Sequence, residues 1–189
     1  MSGPEAAAGG EERGRLFFAL WPDRAVQAAL AAAAKDVASF CKGRLIPRDK
    51  LHLTLAFLGS ADRAQLDALR ELSGAILSPS CELVLGRLGC WQRQGIAWLG
   101  ADAVPEAITR LVNMLRTVLR GAGFVPEARA FAPHVTLMRN ARCRLPERLA
   151  IRPIAWPVSE FVLVRSVLNP EGASYSIIGR WPLDGQVPD

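Results

Sequence analysis

Two copies of one short motif, 82 residues apart, constrain this chain more than any other feature. Residues 52–55 read HLTL and residues 134–137 read HVTL, and these motifs contain both histidines of the chain. Each motif lies in a segment that alternates polar and apolar residues, which is typical of a strand, and each follows a predicted helix and a loop. The repeat therefore predicts a diverged internal duplication.

The remaining elements follow from hydrophobic periodicity and from turn residues. The predicted strands are 15–20, 51–58, 82–91, 96–99, 133–139, 160–168 and 174–181, and the predicted helices are 23–40, 63–77 and 105–120. Two segments, 41–50 and 142–157, are predicted to be loops. We expect a flexible tail over 1–14, one domain over 15–182 and a C-terminal tail over 183–189.

Composition narrows the class of protein. Half of the residues are hydrophobic, which is enough for a core, yet no apolar run approaches the roughly 20 residues that span a bilayer. The formal charge is +5, and residues 1–14 hold three Glu and one Arg, which leaves +7 for the rest of the chain. We therefore expect a basic protein without a membrane partner, and a polyanionic substrate is compatible with this charge.

The cysteines indicate the cellular compartment of the protein. Cys41, Cys81, Cys90 and Cys143 lie far apart and form no C-x-x-C pair, so neither a zinc ribbon nor a redox motif is indicated. Reduced thiols in the cytoplasm are the expected state.

The two motifs also carry the chemistry. His and Thr at positions i and i+2 of a strand point to the same face, so two such strands related by a pseudo-twofold axis bring His52, Thr54, His134 and Thr136 together. One imidazole can take a proton while the other gives one, which suits in-line displacement at a phosphodiester. Metal binding is the competing interpretation, but two histidines without a carboxylate or cysteine partner leave a tetrahedral site incomplete.

Other candidate residues lie near the motifs. Arg139 ends the second motif strand. Simple alternation places its side chain on the face of the sheet opposite to that of His134 and Thr136, unless the strand twists or ends there. Arg44, Arg48 and Lys50 lie in the segment before the first motif; they are either solvated loop charges or cations that attract RNA. Trp91 and Trp98 are predicted to pack against each other across a hairpin.

The chain resembles the RNA 2′,3′-cyclic phosphodiesterases formerly called 2′-5′ RNA ligases, the LigT-like members of the 2H phosphoesterase superfamily. The resemblance covers nearly the whole chain after the first tail. It rests on the segments RLFFAL (15–20), LHLTLAFLG (51–59), the hairpin from Trp91 to Trp98, FAPHVTL (131–137) and the final strand from Tyr175 to Trp181.

The resemblance implies an α+β fold with two pseudo-symmetric lobes of antiparallel sheet, helices outside and a central cleft that holds one H-x-T motif from each lobe. It implies hydrolysis of 2′,3′-cyclic phosphate RNA ends or nucleotides to 2′-phosphates, with no metal or cofactor. Because one chain can complete the cleft, we expect a monomer. His52 is then the general acid and His134 the general base, roles that symmetry permits to be exchanged. Thr54 and Thr136 bind the phosphate, with Arg139 as a further candidate, and Phe18 is the preferred residue for stacking a nucleobase.

Two alternatives remain open at this stage. One is 2′-5′ ligation of RNA, in which a 5′-hydroxyl replaces water in the reverse reaction. The other is a non-catalytic RNA or nucleotide binder on the same fold; because both motifs are complete, the sequence favours an enzyme.

Overall fold

The computed structural model describes residues 14–146, 151–170 and 172–184, and it has the predicted α+β class. The strands are β1 Arg15–Leu20, β2 Cys41–Leu45, β3 Leu53–Gly59, β4 Cys81–Leu85, β5 Arg87–Trp91, β6 Ile96–Gly100, β7 His134–Cys143, β8 Ile154–Val158, β9 Glu160–Asn169 and β10 Gly172–Pro182. The helices are α1 Arg24–Ala38, α2 Arg63–Gly74 and α3 Glu106–Gly121, and a 3₁₀ turn covers Arg48–Lys50.

Eight strands form one antiparallel sheet that consists of two four-stranded halves. The first half has the order β10-β9-β1-β3, and the second has the order β7-β6-β5 with β2 also paired to β7. A single residue pair, Leu53 with Val135, joins β3 to β7 at the centre. A separate two-stranded sheet pairs β4 with β8.

The helices begin where the sequence places capping residues. The Asp23 side chain accepts a hydrogen bond from the N–H of Val26 and caps α1, and Asp62 forms a capping box with Gln65 at the start of α2. α1 packs on β2 and β7, whereas α3 packs on β3. One large core, which includes Leu30, lies between helices and sheet.

The structure corrects several predicted boundaries. The segment 41–50 is not a loop, because Cys41–Leu45 forms β2 along β7. Residues 82–91 do not form one strand: Cys81–Leu85 pairs with Ile154–Val158, within a segment predicted to be a loop. Leu183 does not behave as a tail residue, since its side chain is buried and its N–H donates to the carbonyl of Ser159. Residues 1–13 of the tail predicted over 1–14, and residues 185–189 of the tail predicted over 183–189, lie outside the described residues.

The expectation of four reduced thiols is wrong for one pair. Cys41 and Cys143 are register partners at the ends of β2 and β7, and their sulfur atoms are joined in a disulfide. Cys81 and Cys90 are free and half-buried. The cytoplasmic location expected from reduced thiols therefore loses that support.

None of the helices in the described part of the chain has the length and apolar character needed to cross a membrane.

Candidate active site

The pair that joins the two halves of the sheet also fixes the geometry of the motifs. Leu53 and Val135 are the middle residues of the two H-x-T motifs, and they face each other across the junction with both side chains fully buried. Because equivalent residues meet there, the local twofold axis passes between them. Their neighbours, His52 with Thr54 and His134 with Thr136, therefore point to the opposite face of the sheet, where all four are partly exposed.

Both imidazoles are held in the same way. The Nδ1 atom of His52 lies 2.7 Å from the carbonyl oxygen of Lys50, and Nδ1 of His134 lies 2.8 Å from that of Ala132. A carbonyl oxygen only accepts, so Nδ1 carries the proton in each ring. Each Nε2 is then free to take up or release a proton at a substrate.

A bulge follows each motif and changes which residues face the site. The register of β1 with β3 skips Leu55, and the register of β6 with β7 skips Leu137, so the last residue of each H-x-T-L motif is the extra residue of a bulge. Phe57 and Arg139, five residues after each histidine, consequently share the face of the histidines. Simple alternation would have placed Arg139 on the other face.

Aromatic rings surround His52. Its ring stacks on Trp21 with centroids 5.1 Å apart and planes 3° apart, and on Phe17 with centroids 5.0 Å apart. Tyr175 meets the His52 ring edge-on at 5.3 Å. The sequence analysis did not single out Trp21 or Tyr175 for this role, because they lie on a turn and on a strand that are remote in sequence.

This enclosure has an electrostatic consequence. Loss of solvation by burial lowers the pKa of His52 from 6.5 to about 4, which outweighs the opposing effect of the hydrogen bond to Lys50. The positive charges of Arg139 and His134 also lower this pKa, so both groups lie within electrostatic reach of His52. His52 is therefore neutral at pH 7 in the free protein.

His134 has a related but more open environment. The predicted packing of Trp91 with Trp98 is confirmed, with ring centroids 5.2 Å apart. The Trp91 ring also meets the His134 ring edge-on, with centroids 4.6 Å apart. Burial lowers the pKa of His134, and the charge of Arg139 acts in the same direction, whereas the hydrogen bond to Ala132 opposes both. One arginine therefore influences both histidines.

Phe18 cannot stack a nucleobase in this structure, so that expectation is wrong. Its side chain is fully buried in the main core, where it packs against Phe161 and Trp181. Phe17 faces the histidines, yet it is only 4% exposed. Phe57, which pairs with Phe17 across the strands, has 62% of its surface exposed on the same face.

The basic residues before the first motif approach the β9–β10 turn. Lys50 Nζ donates to the carbonyl of Ala173 at 2.8 Å, and the Arg44 guanidinium lies 3.9 Å from the position that a Cβ atom on Gly172 would occupy. Arg48 instead donates to the carbonyl of Arg24. Arg44 and Lys50 thus lie at the junction between the two halves.

Within the described ranges, no three His, Cys, Asp or Glu side chains come together in a way that could hold a metal ion. Among the described residues, the two histidines therefore lack the further protein ligands that a zinc site requires.

Comparisons with known proteins identify the family. The sequence profile of the 2′-5′ RNA ligase superfamily matches residues 22–169. The chain is 37% identical to the RNA 2′,3′-cyclic phosphodiesterase of Escherichia coli, over 75% of this chain and 80% of that protein. It is 30% identical to the Thermus thermophilus protein of the same name, over 91% of each.

Solved structures agree with this relationship. The crystal structure of E. coli LigT in apo form superposes with a TM-score of 0.79 at 33% identity, covering 92% of this chain and 99% of that chain. LigT complexed with 3′-AMP superposes with a TM-score of 0.77 at 33% identity, covering 90% and 98%. This chain therefore belongs to the 2′-5′ RNA ligase superfamily, the group of 2H phosphoesterases.

Proposed function

We propose that this protein hydrolyses 2′,3′-cyclic phosphate ends of RNA to 2′-phosphates, with two histidines as general acid and general base and without a metal ion. The observation that carries the proposal is the pair of H-x-T motifs on one face of the sheet, each with its imidazole held through Nδ1 and its Nε2 free. The curated relatives named RNA 2′,3′-cyclic phosphodiesterase support the choice of substrate.

Attack begins at His134. Its neutral Nε2 takes a proton from water while the water oxygen forms a bond to phosphorus. The hydroxyl groups of Thr54 and Thr136 donate hydrogen bonds to the non-bridging oxygens, and the positive charge of Arg139 offsets the negative charge that develops on them.

Departure of the ribose oxygen involves the other histidine. As the bond from phosphorus to O3′ breaks, protonated His52 gives its Nε2 proton to O3′, and the phosphate stays on O2′. The low pKa of His52 makes its imidazolium a strong acid, and a bound phosphate anion favours its protonation by countering the charge of Arg139. Each turnover consumes one water and leaves the proton on His134, from which it returns to His52 through solvent.

Phe57 replaces Phe18 as the residue that we propose to stack on a nucleobase. It is an exposed aromatic side chain on the catalytic face, adjacent to the cluster of rings around His52. Stacking of this kind tolerates any base. Phe57→Leu is expected to raise KM for a cyclic phosphate dinucleotide roughly tenfold with little change in kcat, whereas an unchanged KM would contradict the role.

Product analysis tests the proposed activity. Purified protein is incubated with a dinucleotide that ends in a 2′,3′-cyclic phosphate, in excess EDTA, and the phosphomonoester is identified by chromatography. We expect a 2′-phosphate, and no product with the His52→Gln/His134→Gln double variant, which controls for contaminating nuclease. The proposal would be overturned if the wild-type protein left the dinucleotide unchanged, or if EDTA abolished its activity. Addition of excess 5′-hydroxyl RNA to the same assay tests for ligation.

A sulfur-containing substrate separates the roles of the histidines. When sulfur replaces the 3′ bridging oxygen, the leaving group is a thiolate, which departs without protonation. His52→Gln is expected to hydrolyse this substrate nearly as fast as the wild type, whereas His134→Gln stays impaired. Rescue of His134→Gln instead would exchange the two assignments.

A further inference from the structure

The β2–β7 ladder places positive charges opposite one another. Lys42 is the register partner of Arg142, and Arg44 is the register partner of Arg139. Like charges directly opposite in an antiparallel pair repel, so this arrangement costs stability in the free protein. An anion bound between the members of each pair would remove the repulsion.

All four cations lie on the face that carries the catalytic groups. Arg139 shares the face of His134 because of the bulge at Leu137, and Arg44 lies opposite Arg139. Farther along β7, Ala141 and Cys143 point into the core. Arg142, which lies between them and is exposed, therefore points to the catalytic face, together with its partner Lys42.

No acidic side chain neutralises these charges in the described part of the chain. The ion pairs within residues 14–146, 151–170 and 172–184 involve none of the four cations. Neither β2 nor β7 contains Asp or Glu, and the turn between β5 and β6, which bonds to β7 through Gln92 and Gly95, contains none either. Within the described ranges, the ladder is therefore a positive stripe without an acidic partner.

The stripe begins at the catalytic centre and leads away from it. Arg139 influences the pKa of both histidines, so the Arg44–Arg139 pair lies beside the reacting phosphate. The Lys42–Arg142 pair lies two residues from the Arg44–Arg139 pair along β2, about 7 Å farther from the catalytic centre at the usual rise of a strand. The Cys41–Cys143 disulfide closes the ladder one residue beyond, and it holds together two strands whose charges repel.

We propose that the Lys42–Arg142 pair binds a backbone phosphodiester of the RNA strand on the 5′ side of the cyclic phosphate. This inference rests on the proposed function and specifies its substrate: an oligonucleotide rather than a cyclic mononucleotide. A mononucleotide reaches only the catalytic groups and the Arg44–Arg139 pair, whereas a longer strand continues along the stripe.

Chain-length kinetics test the proposal. The Lys42→Gln/Arg142→Gln double variant is expected to raise KM roughly tenfold for a cyclic phosphate tetranucleotide and to leave the kinetics of a 2′,3′-cyclic mononucleotide unchanged. The dependence of log KM on log salt concentration should become shallower by about 0.7 for the tetranucleotide, the value for one phosphate contact. The matched control is Lys35→Gln/Arg120→Gln, which removes the same charge from exposed positions on α1 and α3.

Equal effects of the two double variants, or an equal change with both substrates, would overturn the proposal while leaving the proposed activity intact. A binding measurement covers the case in which the protein proves inactive. Fluorescence anisotropy of a labelled tetranucleotide ending in a 2′-phosphate should show roughly tenfold weaker binding to Lys42→Gln/Arg142→Gln than to wild type. Equal affinity of the variant and the wild type would refute binding of RNA by the stripe. If the wild-type protein is inactive but the variant still binds more weakly, only the proposed activity is refuted.

Discussion

Replacement of His52 by Gln is expected to remove a pH dependence from the stability of the fold. The pKa of His52 is about 4 in the folded protein, against the ordinary value of 6.5 for the solvent-exposed imidazole in an unfolded chain. Below pH 6.5 His52 is protonated in the unfolded chain, whereas in the folded chain it stays neutral until about pH 4. The free energy of unfolding therefore falls as the pH falls through this window. The loss is about 2 kcal/mol at pH 5 and about 3 kcal/mol at pH 4.

Urea denaturation followed by tryptophan fluorescence measures this effect at pH 7 and pH 5. The carboxyl groups titrate alike in both proteins, so the stability difference between wild type and His52→Gln isolates the histidine. That difference should shift by about 2 kcal/mol against the wild type at pH 5. His134→Gln, which keeps His52, should retain most of the wild-type loss. An equal change in the free energy of unfolding between pH 7 and pH 5 for wild type and His52→Gln would refute the burial of this imidazole.

Two further predictions concern the scaffold. Cys41→Ser/Cys143→Ser removes a disulfide between residues that are 102 apart in sequence, so it should lower the free energy of unfolding by about 2–4 kcal/mol. Equal urea midpoints for the wild-type protein with and without reductant would contradict the disulfide. Gly89→Ala should destabilise the fold by about 1–3 kcal/mol in thermal denaturation, because the new methyl group would overlap the Trp98 ring; Gly86→Ala, whose Cβ meets only ordinary contacts, is the control and should unfold near the wild-type temperature.

The sequence predicted that the four motif side chains share one face of the sheet, because two independent constraints act on them. The i, i+2 spacing puts His and Thr on one face, and the repeat relates the two strands by a twofold axis. The pair between Leu53 and Val135 then follows from symmetry, since equivalent middle residues meet at such an axis. The three helices and most of the strands followed from hydrophobic periodicity, which is also a local pattern.

The features that the sequence did not predict depend on contacts between distant segments. Strand alternation gives no indication of a bulge, so the positions of Arg139 and Phe57 became clear only from the register with β6 and β1. The short, polar strand β2 has no buried face of its own except at Cys41, and its pairing with β7 decides its conformation. The rings around His52 come from three separate elements, so no local pattern marks them.

The central claim is that His52 and His134 act together in one step at phosphorus. Its most direct test compares kcat/KM for a 2′,3′-cyclic phosphate dinucleotide among wild type, His52→Gln, His134→Gln and the double variant. We expect each single variant to lose at least about a hundredfold, and the double variant to lose little more than the worse single variant, because either change already disables the pair. Near-wild-type activity in either single variant, or losses that multiply in the double variant, would contradict a paired acid and base.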